Sequence, residues 1–216
     1  MESPLRLGPL TLRTAVVSAL ENNCYLLTHT GTGAQVLIDA ADDVSALRAL
    51  IERGESDVDQ GVVPRLSAIL TTHSHWDHTR ALERLKSSTG AATGCGAADS
   101  HDINVPMDFT LDHGDVTHFD GFDLEAVSLR GHTPGSTAYV LDLPDVPVQI
   151  FAGDSLFSGG VGATKNKQAF HTLIHDVTAR VFDRFGDDAV VWPGHGDPTT
   201  LGAERPSLDT WRERGW

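Results

Sequence analysis

The chain has 216 residues, of which 40% are hydrophobic and 21% charged, an ordinary globular composition. Its net charge of −14 is spread along the sequence with no basic tract, which argues against a nucleic-acid partner, since that needs a positive surface to release counterions. No window supplies the ~18 apolar residues of a membrane span, and the N-terminus, MESPLRLGPLTLRTAVVSAL, sets prolines and arginines where a signal peptide needs an apolar block; a cytoplasmic protein with a single α/β domain over residues 1–216 is expected.

Along the chain, TLRTAVVS, NNCYLLTH and AQVLIDA read as successive strands split by short polar turns such as THTGTG. A helix follows in DVSALRALIERGE, with Val44, Leu47, Leu50 and Ile51 on one face. The strand LSAILTT comes next, then a helix from about Asp77 through RALERLKS. In the second half, HFDGFDLEAVSLR, STAYVLDL, VQIFAGDSLF and DAVVWPG read as strands, with a long amphipathic helix over roughly residues 168–185 between the last two. Strand runs opening each half, followed by alternating helices and strands, suit two mixed sheets packed together with helices outside. Cys24 and Cys95 fit no C-x-x-C or multi-cysteine zinc pattern and read as buried thiols.

The apolar runs end in a consistent way. LSAILTT ends at His73, LEAVSLRG at His132, VQIFAG at Asp154 and AVVWPG at His195, and in the last three a glycine comes immediately before. Glycine lets the backbone turn sharply and approach closely where a Cβ would clash. Strand ends converging on one rim are where α/β proteins place their chemistry. With the stretch HSHWDH, the candidate ligands are His73, His75, Asp77, His78, His132, Asp154 and His195. A catalytic zinc takes three protein ligands plus water, so this set suits two metals sharing a carboxylate. Imidazole and carboxylate suit zinc, and iron or manganese accept similar sets. The helical H-E-x-x-H pair of mononuclear proteases is absent.

H-x-H-x-D-H, GHTPG, FAGDSLF and PGHG, in that order across residues 71–196, resemble the metallo-β-lactamase superfamily of binuclear metallohydrolases. The resemblance implies a four-layer αββα sandwich with the site at one edge. It implies that His73, His75 and His132 hold the first metal, that Asp77, His78 and His195 hold the second, and that Asp154 bridges them. Asp77 would also serve as the catalytic carboxylate, and Asp39 would support a ligand histidine from behind, fixing its tautomer. The compact length and the ending PGHGDPTTLGAERP are most similar to short glyoxalase II-type (hydroxyacylglutathione hydrolase-like) thioesterases. Those enzymes commonly carry histidine where this chain has Ser136, and a GRTD-like stretch where it reads GVGATKNKQAF.

The activity this implies is hydrolysis of a small acyl-thioester by a hydroxide bound to a two-zinc centre. A thiolate leaves without a strong general acid, and the only phenols, Tyr25 and Tyr139, fall within predicted strands. A mononuclear iron persulfide dioxygenase using His73, His132 and perhaps Asp154, or a lactonase or phosphodiesterase on the same fold, are the competing readings. Lys165 and Lys167, in the loop after Asp154, are candidates for gripping a substrate anion. His171 and His175 stand four apart on the predicted helix and are read as a solvated face; Trp76 is placed at the site rim.

Overall fold

A strand buried on both faces needs apolar side chains at successive positions, and NNCYLLTH, AQVLI and TAYVL have that character. The computed structural model describes residues 3–215 and turns these runs into the inner strands of two sheets. The first sheet is ordered β1 (Leu5–Leu7), β2 (Leu10–Val17), β3 (Asn22–His29), β4 (Ala34–Ile38), β5 (Arg65–Thr71), β6 (Ala92–Gly96), β7 (Phe109–Leu111). It is antiparallel as far as β4 and parallel beyond, where α1 (Val44–Glu55) and α2 (Leu82–Thr89) make the crossovers.

The second sheet takes β8 (Val116–Phe119), β9 (Phe122–Ser128), β10 (Thr137–Leu141) and β11 (Gln149–Gly153) from consecutive antiparallel pairs. A small hairpin of β12 (Leu156–Phe157) and β13 (Gly160–Val161) stands apart, and α3 (Lys167–Val177) then leads through a π-helical turn, Thr178–Phe182, to β14 (Val190–Pro193). β14 lies parallel to β11, and β15 (Thr199–Thr200) closes that edge before the short α4 (Leu201–Glu204) and α5 (Leu208–Arg214).

Alternate residues of each inner strand serve different layers. On β3, Tyr25 and Leu27 face the second sheet's Tyr139, Leu141 and Phe151, while Cys24 and Leu26 pack with Leu47 and Leu50 of α1. On β10 and β11, Ala138, Val140, Ile150 and Ala152 face outward to Phe170, Leu173 and Val177 of α3 and Trp211 of α5. The result is helix, sheet, sheet, helix: the αββα sandwich expected. Both cysteines are buried thiols, and burial pushes each up to about 12.

Three local expectations are corrected. The helix expected from Asp77 begins at Leu82; Trp76–His78 form a separate 3-10 turn, because His75 is still extended (ψ 139°) and Thr79 leaves helical geometry (φ −129°). HFDGFDLEAVSLR is a hairpin rather than one strand, with Phe119 opposite Phe122 across an Asp120-Gly121 turn where Gly121 has φ 100°. VQIFAGDSLF is not one strand: β11 ends at Gly153, and Leu156–Phe157 belong to the separate hairpin, while the segment between α2 and β8, unread in the sequence, contributes β6 and β7 to the first sheet.

At one edge the two sheets are stitched by main chain and by two phenols. Thr137 N–H donates to Thr72 O at 2.9 Å and Asn23 N–H to Gly194 O at 2.8 Å. Tyr139 Oη donates to Thr71 O at 2.7 Å, and Tyr25 Oη to Pro193 O at 2.6 Å. That edge carries the site.

Candidate metal centre

The ligand-type residues arrive from both sheets. His73, His75, Asp77 and His78 follow β5; His132 lies between β9 and β10; Asp154 follows β11; His195 follows β14. Their donor atoms fall into three overlapping groups within 4.8 Å of one another: His73, His75 and His132; Asp77, His78 and His195; and His73, His78 and Asp154. Asp154 stands between the first two triads, with Oδ1 3.5 Å from His78 Nε2 and Oδ2 3.6 Å from both His132 Nε2 and His195 Nε2. Two glycines allow this crowding: a Cβ on Gly194 would overlap Asp154 Oδ1, and one on Gly153 (φ 51°) would overlap Thr72.

Hydrogen bonds fix the imidazoles from behind. His132 Nδ1 donates to Ala163 O and His195 Nδ1 to Leu20 O, each at 2.8 Å. Asp39 Oδ2 accepts from His78 Nδ1 and from Thr72 Oγ1, and its Oδ1 accepts from Thr72 N–H, all at 2.8 Å. Thr72 Oγ1 can then accept from His73 Nδ1 at 3.0 Å, so one carboxylate orients two histidines. Asp39 has φ 59°, the left-handed region that Asp tolerates better than most residues.

Electrostatics differ across the centre. Burial, with the neighbouring imidazoles adding to it, holds His73 well below its usual range, and His75 is lowered by the same causes. Burial acts downward on His78 too, but Asp39, Asp154 and Asp77 outweigh it and hold it at about 9. Burial acts upward on Asp77 and is overcome by the Asn22 amide, His78 and His195, leaving the carboxyl below its usual value.

The donor set fits divalent cations. Asp77 Oδ2, His78 Nε2 and His195 Nε2 are separated by 3.6, 3.5 and 3.2 Å. Four-coordinate zinc with bonds of about 2.0–2.1 Å needs donor separations of about 3.3–3.4 Å. Among the described residues, His132 Nε2 and Asp154 Oδ1 are buried polar atoms with no hydrogen-bond partner, and both point into the cluster. A cation would supply the partner each lacks.

Other sequence candidates lie elsewhere. Lys165 lines a cavity of about 320 Å³ whose wall also includes Arg130, His132 and Thr133; Lys167, on the first turn of α3, does not line it. Trp76 is exposed beneath the Arg80 guanidinium, 3.7 Å from its ring centroid. His171 and His175 are exposed on α3.

The sequence reading missed two residues. Asp99, fully buried after β6, accepts from Ser74 N–H (2.8 Å), Thr133 Oγ1 (2.6 Å) and Gly135 N–H (2.6 Å), tying the His73–His75 loop to the His132 loop. Ser136 belongs to this network: it is buried, and its hydroxyl accepts from Thr133 N–H (3.0 Å) and bonds Thr133 Oγ1 (2.6 Å). Asn22 is the other, with its amide beside Asp77. Asp99 closes a 3-10 turn just beyond β6, a strand the sequence reading did not recognise, so the strand-end pattern that picked out the candidate ligands passed over it.

An αββα sandwich with histidines and carboxylates gathered at the strand ends defines a metallohydrolase class. The chain belongs to the metallo-β-lactamase superfamily, whose sequence profile matches residues 17–195. It is 35% identical over 152 residues to hydroxyacylglutathione hydrolase of Cereibacter sphaeroides, covering 70% of this chain but 54% of that protein. It is 30% identical over 210 residues to hydroxyacylglutathione hydrolase GloC of Haemophilus influenzae, covering 88% and 93% respectively. The chain thus spans about half the length of the first relative and nearly all of the second. Among solved structures, TTHA1623 in a di-iron-bound form superposes with a TM-score of 0.67 at 26% identity, covering 89% of this chain and 96% of that one.

Proposed function

We propose that this protein is a hydrolase of small acyl-thioesters, working as one domain with two divalent cations, zinc in the first instance. The observation that carries the reading is the pair of donor triads with Asp154 between them and two buried donor atoms left without partners. His73, His75 and His132 would hold one cation, Asp77, His78 and His195 the other, and Asp154 would serve both. Two cations held there would supply a water of lowered pKa and polarise the carbonyl under attack.

The chain's own groups supply the rest. Asp77, kept ionised by Asn22, His78 and His195, offers a carboxylate to take the water's proton. Asp39 and Thr72 hold the tautomers of His78 and His73, so that each presents Nε2 inward. Lys165, beside the His132 wall, would pair with a substrate carboxylate. The leaving group narrows the substrate class. Both tyrosines are buried, with hydroxyls committed to backbone carbonyls, and burial raises each far above its usual value. A thiolate departs without a phenol to protonate it, which favours a thioester over an amide or lactone. Similarity to two hydroxyacylglutathione hydrolases supports the same class.

The test is a hydrolysis panel on metal-loaded protein: acyl-thioesters of several thiols, a lactone, a β-lactam and a phosphodiester. Thioester turnover with two metals per chain is the expected result. Turnover of another class alone, or one iron per chain with oxygen uptake, would overturn it. Lys165→Ala should raise KM several-fold for an anionic thioester with kcat little changed, while Lys167→Ala leaves both alone.

A further inference from the structure

Resting on that two-cation reading, we infer that Asn22 is an additional ligand of the second cation, through its side-chain amide. Asn22 is fully buried, and its amide Nδ2 lies 2.9 Å from Asp77 Oδ2 and 3.3 Å from each of His78 Nε2 and His195 Nε2. Those three atoms are the donors of the second triad. Their mutual separations of 3.2–3.6 Å and the 2.9–3.3 Å to Asn22 describe the four corners of one tetrahedron. The amide therefore faces the position the triad encloses, as a donor in addition to Asp154, rather than standing behind a ligand.

Its backbone is held there independently of the side chain. Asn22 forms a bridge pair with His195, and the neighbouring Asn23 N–H donates to Gly194 O at 2.8 Å. The other end of the amide meets Ser18 Oγ at 2.7 Å. An Asn amide can turn over, exchanging its oxygen and nitrogen. In one orientation Nδ2 donates to the Asp77 carboxylate and Ser18 donates to Oδ1. Turned, Oδ1 faces the triad as a neutral oxygen donor, and Nδ2 donates to Ser18 Oγ. That hydroxyl oxygen already accepts from Leu20 N–H at 2.9 Å and has a second lone pair to offer. Without a cation the turned state sets two acceptors, Oδ1 and Asp77 Oδ2, against each other and frees the Ser18 hydroxyl proton; a cation between the two oxygens replaces the lost hydrogen bond and selects the turned state. A carbonyl-type oxygen donor among imidazoles and carboxylate suits manganese best of the candidate metals.

The test is metal loading of the intact protein, measured by equilibrium dialysis against buffered zinc with metal analysis. Visible absorption of the cobalt-loaded form reports the coordination number at the second position. Asn22→Ala should weaken the second cation by at least about tenfold while leaving the first unchanged, and should alter the cobalt spectrum. Asn22→Asp, which keeps an oxygen donor but cannot donate a hydrogen bond to Asp77, should bind the second cation at least as tightly as the parent. Two results would overturn the assignment. If Asn22→Ala binds the second cation equally or more tightly, the amide is a bystander or a competitor. If Ala and Asp are both weakened, Asn22 only orients Asp77. Two cations binding without thioester turnover would sink the proposed activity and leave this assignment standing; a parent protein that binds no second cation would sink both.

Discussion

Asp39 concentrates the support of the centre in one side chain. Its left-handed backbone turns both carboxylate oxygens toward the strand end after β5, where they meet Thr72 and His78. Asp39→Ala should lower metal affinity about 10- to 100-fold, as read by competition with a chromophoric chelator. It should also cost about 1–3 kcal/mol in denaturant unfolding, because the buried Thr72 N–H loses its acceptor. Asp154→Ala is the sharper case. Its carboxylate lies within 3.6 Å of His78, His132 and His195, so its loss should lower metal content and abolish hydrolysis together. Retained metal with a retained rate would remove it from the bridging role. At this scale the sequence was informative because ligands must be particular residue types at strand ends. Asn22 and Asp99 escaped it because an amide or a lone aspartate has many other uses, and only their partners reveal what they do.

The elements that position His132 are clamped by an ion pair. Arg130 donates from Nε and Nη2 to Asp176 of α3 at 2.7 and 2.9 Å, and its main-chain N–H adds a third bond at 3.1 Å. Asp176 is fully buried; burial pushes its carboxyl up, but Arg130 and Arg180 outweigh that and hold it below the ordinary range. A depressed acid contributes stability that is complete above its unfolded pKa and is lost as pH falls through the folded value. Asp176→Ala should therefore cost about 1.5–3 kcal/mol at neutral pH, with the difference from the parent shrinking below about pH 4. An unchanged difference at low pH would remove the ion pair as its cause. Element boundaries were legible where periodicity was uninterrupted: NNCYLLTH coincides with β3, and α1 starts one residue into DVSALRALIERGE. They blurred where a turn serves the site. The candidate ligands Asp77 and His78 sit on a 3-10 turn, Trp76–His78, rather than on the helix expected from Asp77. The Asp120-Gly121 hairpin was readable from its turn dipeptide, and the flanking apolar residues masked it.

For the whole molecule, the centre draws donors from both sheets, so metal binding and folding are linked. Cation held at about a thousand times its Kd adds about 4 kcal/mol of stability, and for a chain of this size chelation should lower the thermal midpoint by about 8–16 °C. A scan with and without chelator checks this; equal midpoints would mean that the sheets hold together without help from the centre. Fold class and layer order were legible from buried runs on both sides of each strand, which require a layer above and below. The identity of the substrate was not, because it depends on the surface around Lys165 rather than on any buried pattern.

The stitching at the site edge bears on how cations are acquired and exchanged. Thr137 to Thr72, Asn23 to Gly194 and the two phenols hold the strand ends in register through groups outside the candidate donor set. If the proposed centre is right, its donors stand assembled before a cation arrives, and exchange of one metal for another is expected to leave the chain folded.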